Sequence, residues 1–375
     1  LTPASASTDL RRPMTIRLNP LTHKKLQRFR SIRRGFWSFM ALVVAFVASL
    51  FGELLVNKRA LIVSYDGKLH FPVYGKFYSG NYFGLQEESG QKYSYEVNYR
   101  QLEQVFKAKN DGVWVLMPLV PYGPYENDFT KAAGRLSAPH LQNRHLLGTD
   151  ETGRDIFARL FYGFRIAMIF SLGFLVLTYL IGVTVGSVMG YFGGVVDLLS
   201  QRLVEIWANI PFLYMVIIIV ALVPAGFPNW MRIGILLLIM VLFSWTSMTY
   251  YVRAAVYKEK ARDYVAAANV LGAGPGRIIF KHLLPNVIST LVTFAPFTVA
   301  MAISSITALD FLGFGLPPPT PSWGELLKQG VDNLREAPWI VASGFLSLVV
   351  TLTLVTFVGE AVREAFDPKK FATYE

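Results

Sequence analysis

Two Gly-Lys pairs come nearest to a phosphate-binding loop in this 375-residue sequence. The pairs at 67–68 and 75–76 are followed by Leu69 and Phe77, and neither has a glycine five residues before its own glycine. A phosphate loop needs that glycine and a Ser or Thr after the lysine, because its backbone cradles the phosphates and its hydroxyl binds magnesium. The chain also has no cysteine and no His-Glu-x-x-His run. The sequence therefore predicts that the chain is not an enzyme and itself binds no cofactor or metal.

One stretch instead has the residue types of a docking surface. Residues 263–286 read DYVAAANVLGAGPGRIIFKHLLPN, an alanine-rich run followed by a Gly-Pro-Gly turn. The pattern predicts a short helix over 264–271 that stops at Gly272 and a second over 277–284 that ends at Pro285. Neither helix is long enough to cross a membrane, so we expect the segment to lie along a membrane surface.

The small side chains of this stretch can admit another protein. Ala266, Ala267 and Ala268 would let a partner come within van der Waals distance of the helix backbone. An amphipathic connector that packs only on its own bundle is the alternative.

Composition places these residues in a membrane protein. The chain is 53% hydrophobic and only 16% charged, against about 25% charged residues in soluble domains. Its net charge of +11 comes from basic residues beside apolar runs, where the positive-inside rule explains them better than nucleic acid does. Six apolar stretches reach the roughly 20 residues that a membrane helix needs. They are Phe36–Val56, Ile166–Met189, Leu203–Val223, Ile233–Tyr251, Val287–Leu309 and Trp339–Val358, the third interrupted by Pro211.

The basic residues also predict the orientation of the spans. One cluster precedes the first span, and two more follow the fourth and the sixth, so all three lie on one side if six spans alternate. By the positive-inside rule that side is the cytoplasm, which would hold both termini. The clusters are Lys24, Lys25, Arg28, Arg30, Arg33 and Arg34; Arg253, Lys258, Lys260, Arg262, Arg277 and Lys281; and Arg363, Lys369 and Lys370.

The spans divide the chain into parts. The Tyr-rich, Gly-punctuated segment after the first span predicts short strands and turns in a small extracytoplasmic domain, and residues 1–20 are expected to be disordered. The parts are a basic cytoplasmic segment at 1–35, the first span at 36–56, an extracytoplasmic insertion at 57–165, a five-helix core at 166–359 with a cytoplasmic loop at about 256–286, and a cytoplasmic tail at 360–375.

The spans carry polar side chains but almost no charge. Ion-coupled carriers usually place ionisable residues at mid-membrane depth. Here the ionisable residues lie near span ends: Asp197, Glu205, Arg232, Asp310 and Glu360. Uncharged hydroxyls suit a wet pathway, and hydrogen bonds between helices are the alternative. The candidate pathway residues are Ser244, Thr246, Ser247, Ser304, Ser305 and Thr307.

A glycine ladder and two capping signals predict local structure. Gly182, Gly186 and Gly190 lie on one face of the second span, where packing inside the bundle is favoured over a subunit interface. In LGTDETGRD, a structural role is favoured over substrate contact. Its candidate N-caps are Thr149 and Asp150, with Asp155 in or near the first turn. Further on, Ser322 and Glu325 form the pattern of a capping box at the start of a short helix.

Three motifs, in order, resemble permease subunits of ABC importers. Their coupling loop reads Glu-Ala-Ala, three residues, Gly, nine residues, Ile, one residue, Leu-Pro. This chain matches it at Ala267, Ala268, Gly272, Leu284 and Pro285, and departs from it at Ala266 and His282.

The other two motifs flank the second and fifth spans. HLLGTDETGRDIFARLFYGFR, from His145, and LDFLGFGLPPPTPSWGELL, from Leu309, resemble segments of the C-type subunits of dipeptide and oligopeptide importers. Asp310 stands where many relatives have serine. With its large domain after the first span, the chain looks most like the Yej-type branch, which imports peptides and peptide-like compounds.

The resemblance implies an all-α membrane protein with six transmembrane helices of the type I ABC importer permease fold and an extracytoplasmic insertion after the first span. It implies a bacterial inner-membrane location, a heterodimer with a second permease, ATPase subunits that bind ATP and magnesium, and an extracytoplasmic substrate-binding protein. The residues expected to couple to the ATPase are Asp263, Tyr264, Ala266, Ala267, Ala268, Gly272 and Pro285. Trp323 is a candidate gate or contact for the binding protein.

Two other functions fit parts of the sequence. A stand-alone channel or ion-coupled secondary carrier would also be a bundle of apolar helices. A membrane-anchored binding module would place the function in residues 57–165.

Overall fold

The computed structural model describes residues 20–85, 95–109, 112–128, 134–224 and 226–367. The expectation for residues 1–20 lies outside them except at Pro20, as do Lys369 and Lys370. The helices are α1 Pro20–Ser31, α2 Arg33–Leu50, α3 Gly52–Leu55, α4 Tyr99–Lys109, α5 Ile156–Phe192, α6 Gly194–Ala208, α7 Phe212–Leu222, α8 Asn229–Lys260, α9 Asp263–Val270, α10 Pro275–Arg277, α11 Leu284–Leu291, α12 Ala295–Phe311, α13 Trp323–Asp332 and α14 Pro338–Phe366, with a π-helical segment at Ile278–Leu283. The strands are β1 Ile62–Tyr65, β2 Lys68–His70 and β3 Trp114–Leu116.

Within the part of the chain that the structure describes, four helices are long and apolar enough to cross a membrane by themselves: α2, α5, α8 and α14. Two further spans are bent pairs. Helices α6 and α7 meet at 72°, and residues 275–291 meet α12 at 59°. Counted as one span each, the pairs bring the total to the six that the sequence predicts. The first bend lies at Pro211, which disfavours helical backbone at the residue before it and has no N–H to continue the helix.

Helix α5 begins at Ile156, earlier than the predicted start of the second span at Ile166. Asp155 is its N-cap, and its Oδ1 accepts a hydrogen bond from the Ala158 N–H at 2.7 Å. The prediction that Thr149 or Asp150 caps this helix is wrong, because both side chains bond within the preceding loop. Helix α5 therefore includes the last ten residues of the segment that the sequence assigns to the insertion, 57–165.

That segment contains the predicted short strands and turns. Strands β2, β1 and β3 form an antiparallel sheet in that order, with Val63 opposite both His70 and Val115. The sheet and α4 enclose a core that includes Val63, Phe83 and Leu102. This unit has a hydrophobic core separate from the clusters between the long helices.

The glycine ladder of α5 packs against α8 within the same chain. A methyl group on Gly186 would lie 2.6 Å from the Thr249 carbonyl oxygen, and one on Gly190 would lie 2.8 Å from that of Arg253. A methyl group on Gly182 would lie 2.7 Å from the side-chain Cβ of Met248. The predicted packing inside the bundle is confirmed, because only glycine lets these two backbones approach so closely.

Candidate functional site

Gly272 directly follows Leu271, the C-cap of helix α9, so the helix stops where the sequence predicts. Gly272 has φ +79°, the left-handed conformation that favours glycine. Its N–H donates to the Asn269 carbonyl, and the Ala273 N–H donates to the Ala268 carbonyl, both at 3.0 Å. These two bonds form a Schellman motif, which satisfies the last carbonyls of the helix and turns the chain away from its axis.

The two faces of α9 have different surroundings. Asp263, Ala266 and Ala267 are exposed, whereas Val265 and Ala268 are buried in a cluster formed with α8 and the segment after α10. Ala268, only 7% exposed, therefore anchors the helix. The prediction that it belongs to the surface open to a partner is wrong, because it lies one helical step from the exposed alanines and faces the bundle.

Tyr264 also holds α9 in place. Its hydroxyl donates to Glu259 Oε2 at 3.0 Å and accepts from Asn286 Nδ2 at 3.1 Å. The side chain is half-buried, and it links the end of α8 to α11. Tyr264 is thus a positioning residue of the segment, while Asp263 is exposed beside it.

The sequence predicts that the helix after α9 ends at Pro285, but the helix continues past this residue. It continues from Pro275 to Leu291, with the π-helical turn immediately before Pro285. The Leu284 N–H bonds to the Ile279 carbonyl, five residues back. A wider turn accommodates the proline ring and its missing N–H, which would interrupt a regular α-helix. The exposed Pro285 therefore shapes the helix without terminating it.

Sequence reasoning missed three apolar residues on this surface. Val270 and Leu271 are 87% and 86% exposed at the end of α9, and Phe280 is 73% exposed on the π-helical turn. A signal for them exists in the sequence, because an apolar pair directly before a helix-stopping glycine has no helix left in which to be buried. Their exposure leaves an apolar surface on a segment that is otherwise well packed.

A second constellation lies at the other end of the bundle. Asp150 accepts from Arg154 Nε at 2.7 Å, and Arg154 also donates to Glu325 Oε1 at 2.8 Å. Arg159, completely buried, donates to the other oxygen of Glu325. The LGTDETGRD loop is therefore a structural brace to α13, as favoured from its sequence, although the role of Arg159 was not predicted.

The start of α13 confirms one predicted cap. Ser322 Oγ accepts from the Glu325 N–H, so Ser322 is the N-cap. The Glu325 carboxylate binds the two arginines instead of completing a capping box. Asp310 accepts from Ser322 and from the Leu316 N–H, which ties the end of α12 to the loop before α13.

His145 joins this constellation to the insertion. Its Nδ1 lies 2.8 Å from Asp155 Oδ2, and its Nε2 lies 3.5 Å from Asp128 Oδ2. Its ring stacks on Tyr122 with centroids 3.8 Å apart. Burial alone would lower the pKa of His145, but the carboxylates of Asp128 and Asp155 outweigh it and raise that pKa. Burial raises the pKa of Tyr122 to about 12.

Trp323 is a packing residue in this structure. It is 4% exposed, and its indole N–H donates to the Leu160 carbonyl at 2.9 Å. In this conformation it offers no surface to a binding protein, and its candidate role as a gate or contact stays a prediction. Its ring instead stacks on Phe164 beside Gly163.

The candidate pathway residues do not share one environment. Thr246 and Thr307 are buried, and Thr307 donates to the Ile303 carbonyl of its own helix at 2.8 Å. Ser247 and Ser304 are exposed, on α8 and α12 respectively, while Ser244 and Ser305 are half-buried. Among the described residues, no group of three or more His, Asp or Glu side chains is arranged to hold a metal ion.

The sequence model of one family matches half of the chain. That family is described as the binding-protein-dependent transport system inner membrane component, and it matches residues 182–371. The chain belongs to this family. It is therefore an inner-membrane permease, a multi-pass component of a binding-protein-dependent ABC transport system.

Two relatives match this permease over nearly all of their length. The peptidoglycan transport system permease protein YejE of Agrobacterium fabrum is 38% identical over 98% of both chains. The inner membrane ABC transporter permease protein YejE of Escherichia coli is 41% identical, covering 94% of this chain and 99% of its own. An inward-facing structure of the MetNI methionine ABC transporter is 16% identical, with a TM-score of 0.45 over 56% of this chain and 98% of its own.

Permeases of this family have the type I ABC importer fold and carry no ATPase site, because the ATPase is a separate subunit. The Yej-type resemblance seen in the motifs is confirmed by the near full-length matches, which include the insertion.

Proposed function

We propose that the permease couples to a partner ATPase through α9. The observation that carries this proposal is the uncovered apolar end of the helix, Val270 and Leu271, on a segment whose other face is locked into the bundle. Exposed apolar surface next to small residues favours close docking of another protein. Ala266 and Ala267 supply the small side chains, and Gly272 directs the chain out of the contact.

The anchored face of α9 suits the transmission of movement. Val265 and Ala268 pack with Val256 of α8 and with Ile278 and Leu283 of the π-helical segment. A displacement of α9 would therefore move the ends of two different spans together. In this mechanism ATP and magnesium bind to the partner ATPase, and α9 of the permease transmits the movement of the ATPase to the spans.

The proposed substrate is a peptide or peptide-like compound. The Agrobacterium relative is named for peptidoglycan transport, and the match covers 98% of both chains. In this proposal the permease pairs with a second, different permease subunit, and an extracytoplasmic binding protein delivers the substrate. The exposed Ser247 and Ser304 are the best-placed pathway candidates, since uncharged hydroxyls can bond a passing peptide backbone without trapping it.

The proposed orientation places both termini, α9 and the basic clusters in the cytoplasm, and residues 57–165 outside. The positive-inside rule supports this orientation, because exposed basic residues cluster at the end of α8. They are Lys258 and Lys260 in its last turn and Arg262 two residues beyond it.

The test is a reconstitution of the permease with its second permease, ATPases and loaded binding protein. Valine at Gly272 would have to adopt a left-handed conformation, which costs about 1–2 kcal/mol, and Ala267→Glu would add a charge to the docking face. Both variants should assemble normally but lose substrate-stimulated ATP hydrolysis and peptide uptake. Gly75→Val is the matched control, because Gly75 also has a positive φ, +96°, and open space around it, but lies in the insertion. Wild-type uptake by both α9 variants would overturn the proposal.

A second arm tests the energy source. Uptake should persist when ionophores abolish proton and sodium gradients while ATP is saturating. Uptake that collapses with the gradient would favour an ion-coupled carrier.

A further inference from the structure

The insertion contains a polar pocket of ≈ 400 Å³ that coupling to an ATPase does not use. Its walls come from α4, from the segment around Pro121 and Tyr122, and from residues 142–144. The volume is in the range of about 300–1,000 Å³ that is typical of small-ligand sites. The pocket therefore has the size of a ligand site and lies in the part of the chain without an assigned role.

The mouth of the pocket carries a surplus positive charge. Lys107 Nζ lies 2.7 Å from Glu103 Oε1, and Arg144 Nη2 lies 3.3 Å from the same oxygen. One carboxylate thus serves two cations. The Lys107 and Arg144 side chains are 70% and 41% exposed, against 14% for Glu103. Both cations can therefore reach an incoming anion while they remain tethered.

The inner wall holds Arg100 between the carboxylates of Glu126 and Asp128, and Asp128 also lines the pocket. Arg100 donates to Glu126 Oε1 at 2.8 Å and to the Pro121 carbonyl at 2.7 Å, and its guanidinium lies 4.3 Å from the centre of the Tyr122 ring. These contacts compensate the positive charge of Arg100. An anionic ligand group would accordingly bind at the mouth, and the rest of the ligand would lie against the wall.

Amide side chains also line the pocket. They are Asn98, Gln101, Gln104, Gln142 and Asn143, and Asn98 Oδ1 already accepts from the Arg100 and Gln101 N–H groups of α4. A side-chain amide both donates and accepts hydrogen bonds, which matches the alternating N–H and C=O groups of a peptide backbone. Cations at one end and amides along the side are the chemistry that recognises the carboxyl end of a short peptide.

We propose that this pocket binds the free carboxylate end of a short peptide, with Lys107 and Arg144 as carboxylate ligands. The inference rests on the proposed function in peptide import. It adds a substrate contact on the outer domain of the permease itself, separate from the binding protein and from the membrane pathway.

A chain of side-chain contacts connects the pocket to the start of α5. Arg100 lies on one contact surface of Tyr122, and the Tyr122 ring stacks on His145. His145 in turn bonds Asp155, the N-cap of α5. A ligand against the Arg100 wall is thus linked to the start of a membrane helix through three consecutive contacts.

The experiment measures equilibrium binding of trialanine to the purified permease heterodimer in nanodiscs, without binding protein. Trialanine with a free carboxylate should bind at least tenfold more tightly than trialanine amide. Lys107→Gln combined with Arg144→Gln should remove this preference and leave binding of the amide unchanged. Lys68→Gln combined with Lys76→Gln is the matched control, because it removes two exposed charges of the insertion elsewhere.

Equal binding of acid and amide by the wild-type protein, or an unchanged preference in the pocket variant, would overturn the inference. If the double variant does not fold, Lys107→Gln alone replaces it, since that side chain is largely exposed. ATP-driven uptake by the complete system is measured in parallel. Uptake without pocket binding refutes this inference alone, whereas pocket binding without ATP-driven uptake refutes the proposed function.

Discussion

Arg154 Nη2 lies 2.8 Å from Glu325 Oε1, so the loop that precedes α5 is bonded to a helix 171 positions later in the chain. The second oxygen of Glu325 faces Arg159, whose side chain is completely buried. Glu325 and Asp150 together therefore compensate the two guanidinium groups. Removing the Glu325 charge would leave the buried Arg159 with only the more distant Asp150, at 3.6 Å, and weaker compensation of a buried charge is destabilising.

We predict that Glu325→Gln lowers the apparent melting temperature of the purified permease. The free energy of unfolding should fall by on the order of 3 kcal/mol. This is the lower end of the range for breaking a buried ion pair, because Glu325 is partly exposed. Thermal unfolding in detergent measures it. Glu336→Gln is the control, since Glu336 is an exposed carboxylate just beyond the same helix.

Arg159→Met in the Glu325→Gln background should recover part of that loss, because methionine fills the site without a charge. A double variant whose loss equals the sum of the two single losses would show that the pair is not coupled.

Much of this fold could be predicted because its signals are local in the sequence. Gly272 stops α9 and Gly186 packs against a neighbouring helix for reasons that a few adjacent residues reveal. Span number follows from apolar length. The break at Pro211 was also visible, although its 72° bend was not, since the angle depends on packing against other helices.

The remainder depends on contacts between distant segments. Trp323 was a candidate gate or binding-protein contact from its motif alone, but its ring fills the space beside Gly163 of α5. Ala268 resembles its two neighbours in sequence and differs from them only in facing the bundle. Arg159 was hidden for the same reason, because its partner Glu325 lies in another motif.

The glycine ladder gives a prediction about packing. Gly186→Ala should lower the abundance of folded permease, because the added carbon would lie 2.6 Å from a backbone oxygen of α8 and the helices would have to separate. Gly234→Ala in α8 is the matched control, since no atom lies within 4 Å of its added carbon. Relief of glycine entropy should make that variant neutral or more stable by about 0.5–1 kcal/mol. Fluorescence-detected size-exclusion chromatography compares the two, and equal profiles would contradict the close helix contact.

His145 gives a prediction about pH. Its folded-state pKa lies above the ordinary value of about 6.5, so the protonated ring contributes stability that is fully present below that pH and is lost as the pH rises through the folded pKa. Amide exchange of residues 145–155, corrected for intrinsic rates, should therefore become less protected toward alkaline pH. His145→Gln should abolish this pH-dependent loss of protection, whereas His23→Gln, at an exposed site on α1, should retain it. If the loss of protection persists in His145→Gln, another titratable group causes it.

The orientation can be tested with single cysteines, because the chain contains none. Lys258→Cys, exposed near the end of α8, should react with an impermeant thiol reagent only after the inner membrane is opened. Tyr74→Cys, in the insertion and 77% exposed in the parent side chain, should react once the outer barrier alone is permeabilised. Labelling of position 258 in intact spheroplasts would contradict the proposed topology.

The π-helical turn before Pro285 gives the last prediction. In Pro285→Ala, the new N–H can bond the Lys281 carbonyl, which removes the reason for the wide turn. Relaxation to a regular α-helix would rotate residues 275–283 by roughly 100° relative to α11 and would turn the buried Ile278 and Leu283 away from α9. We expect normal membrane abundance but weaker ATPase copurification and reduced stimulated hydrolysis. Pro338→Ala is the control, because Pro338 lies in the first turn of α14, where no N–H is required. Wild-type coupling in Pro285→Ala would show that the wide turn does not position α9.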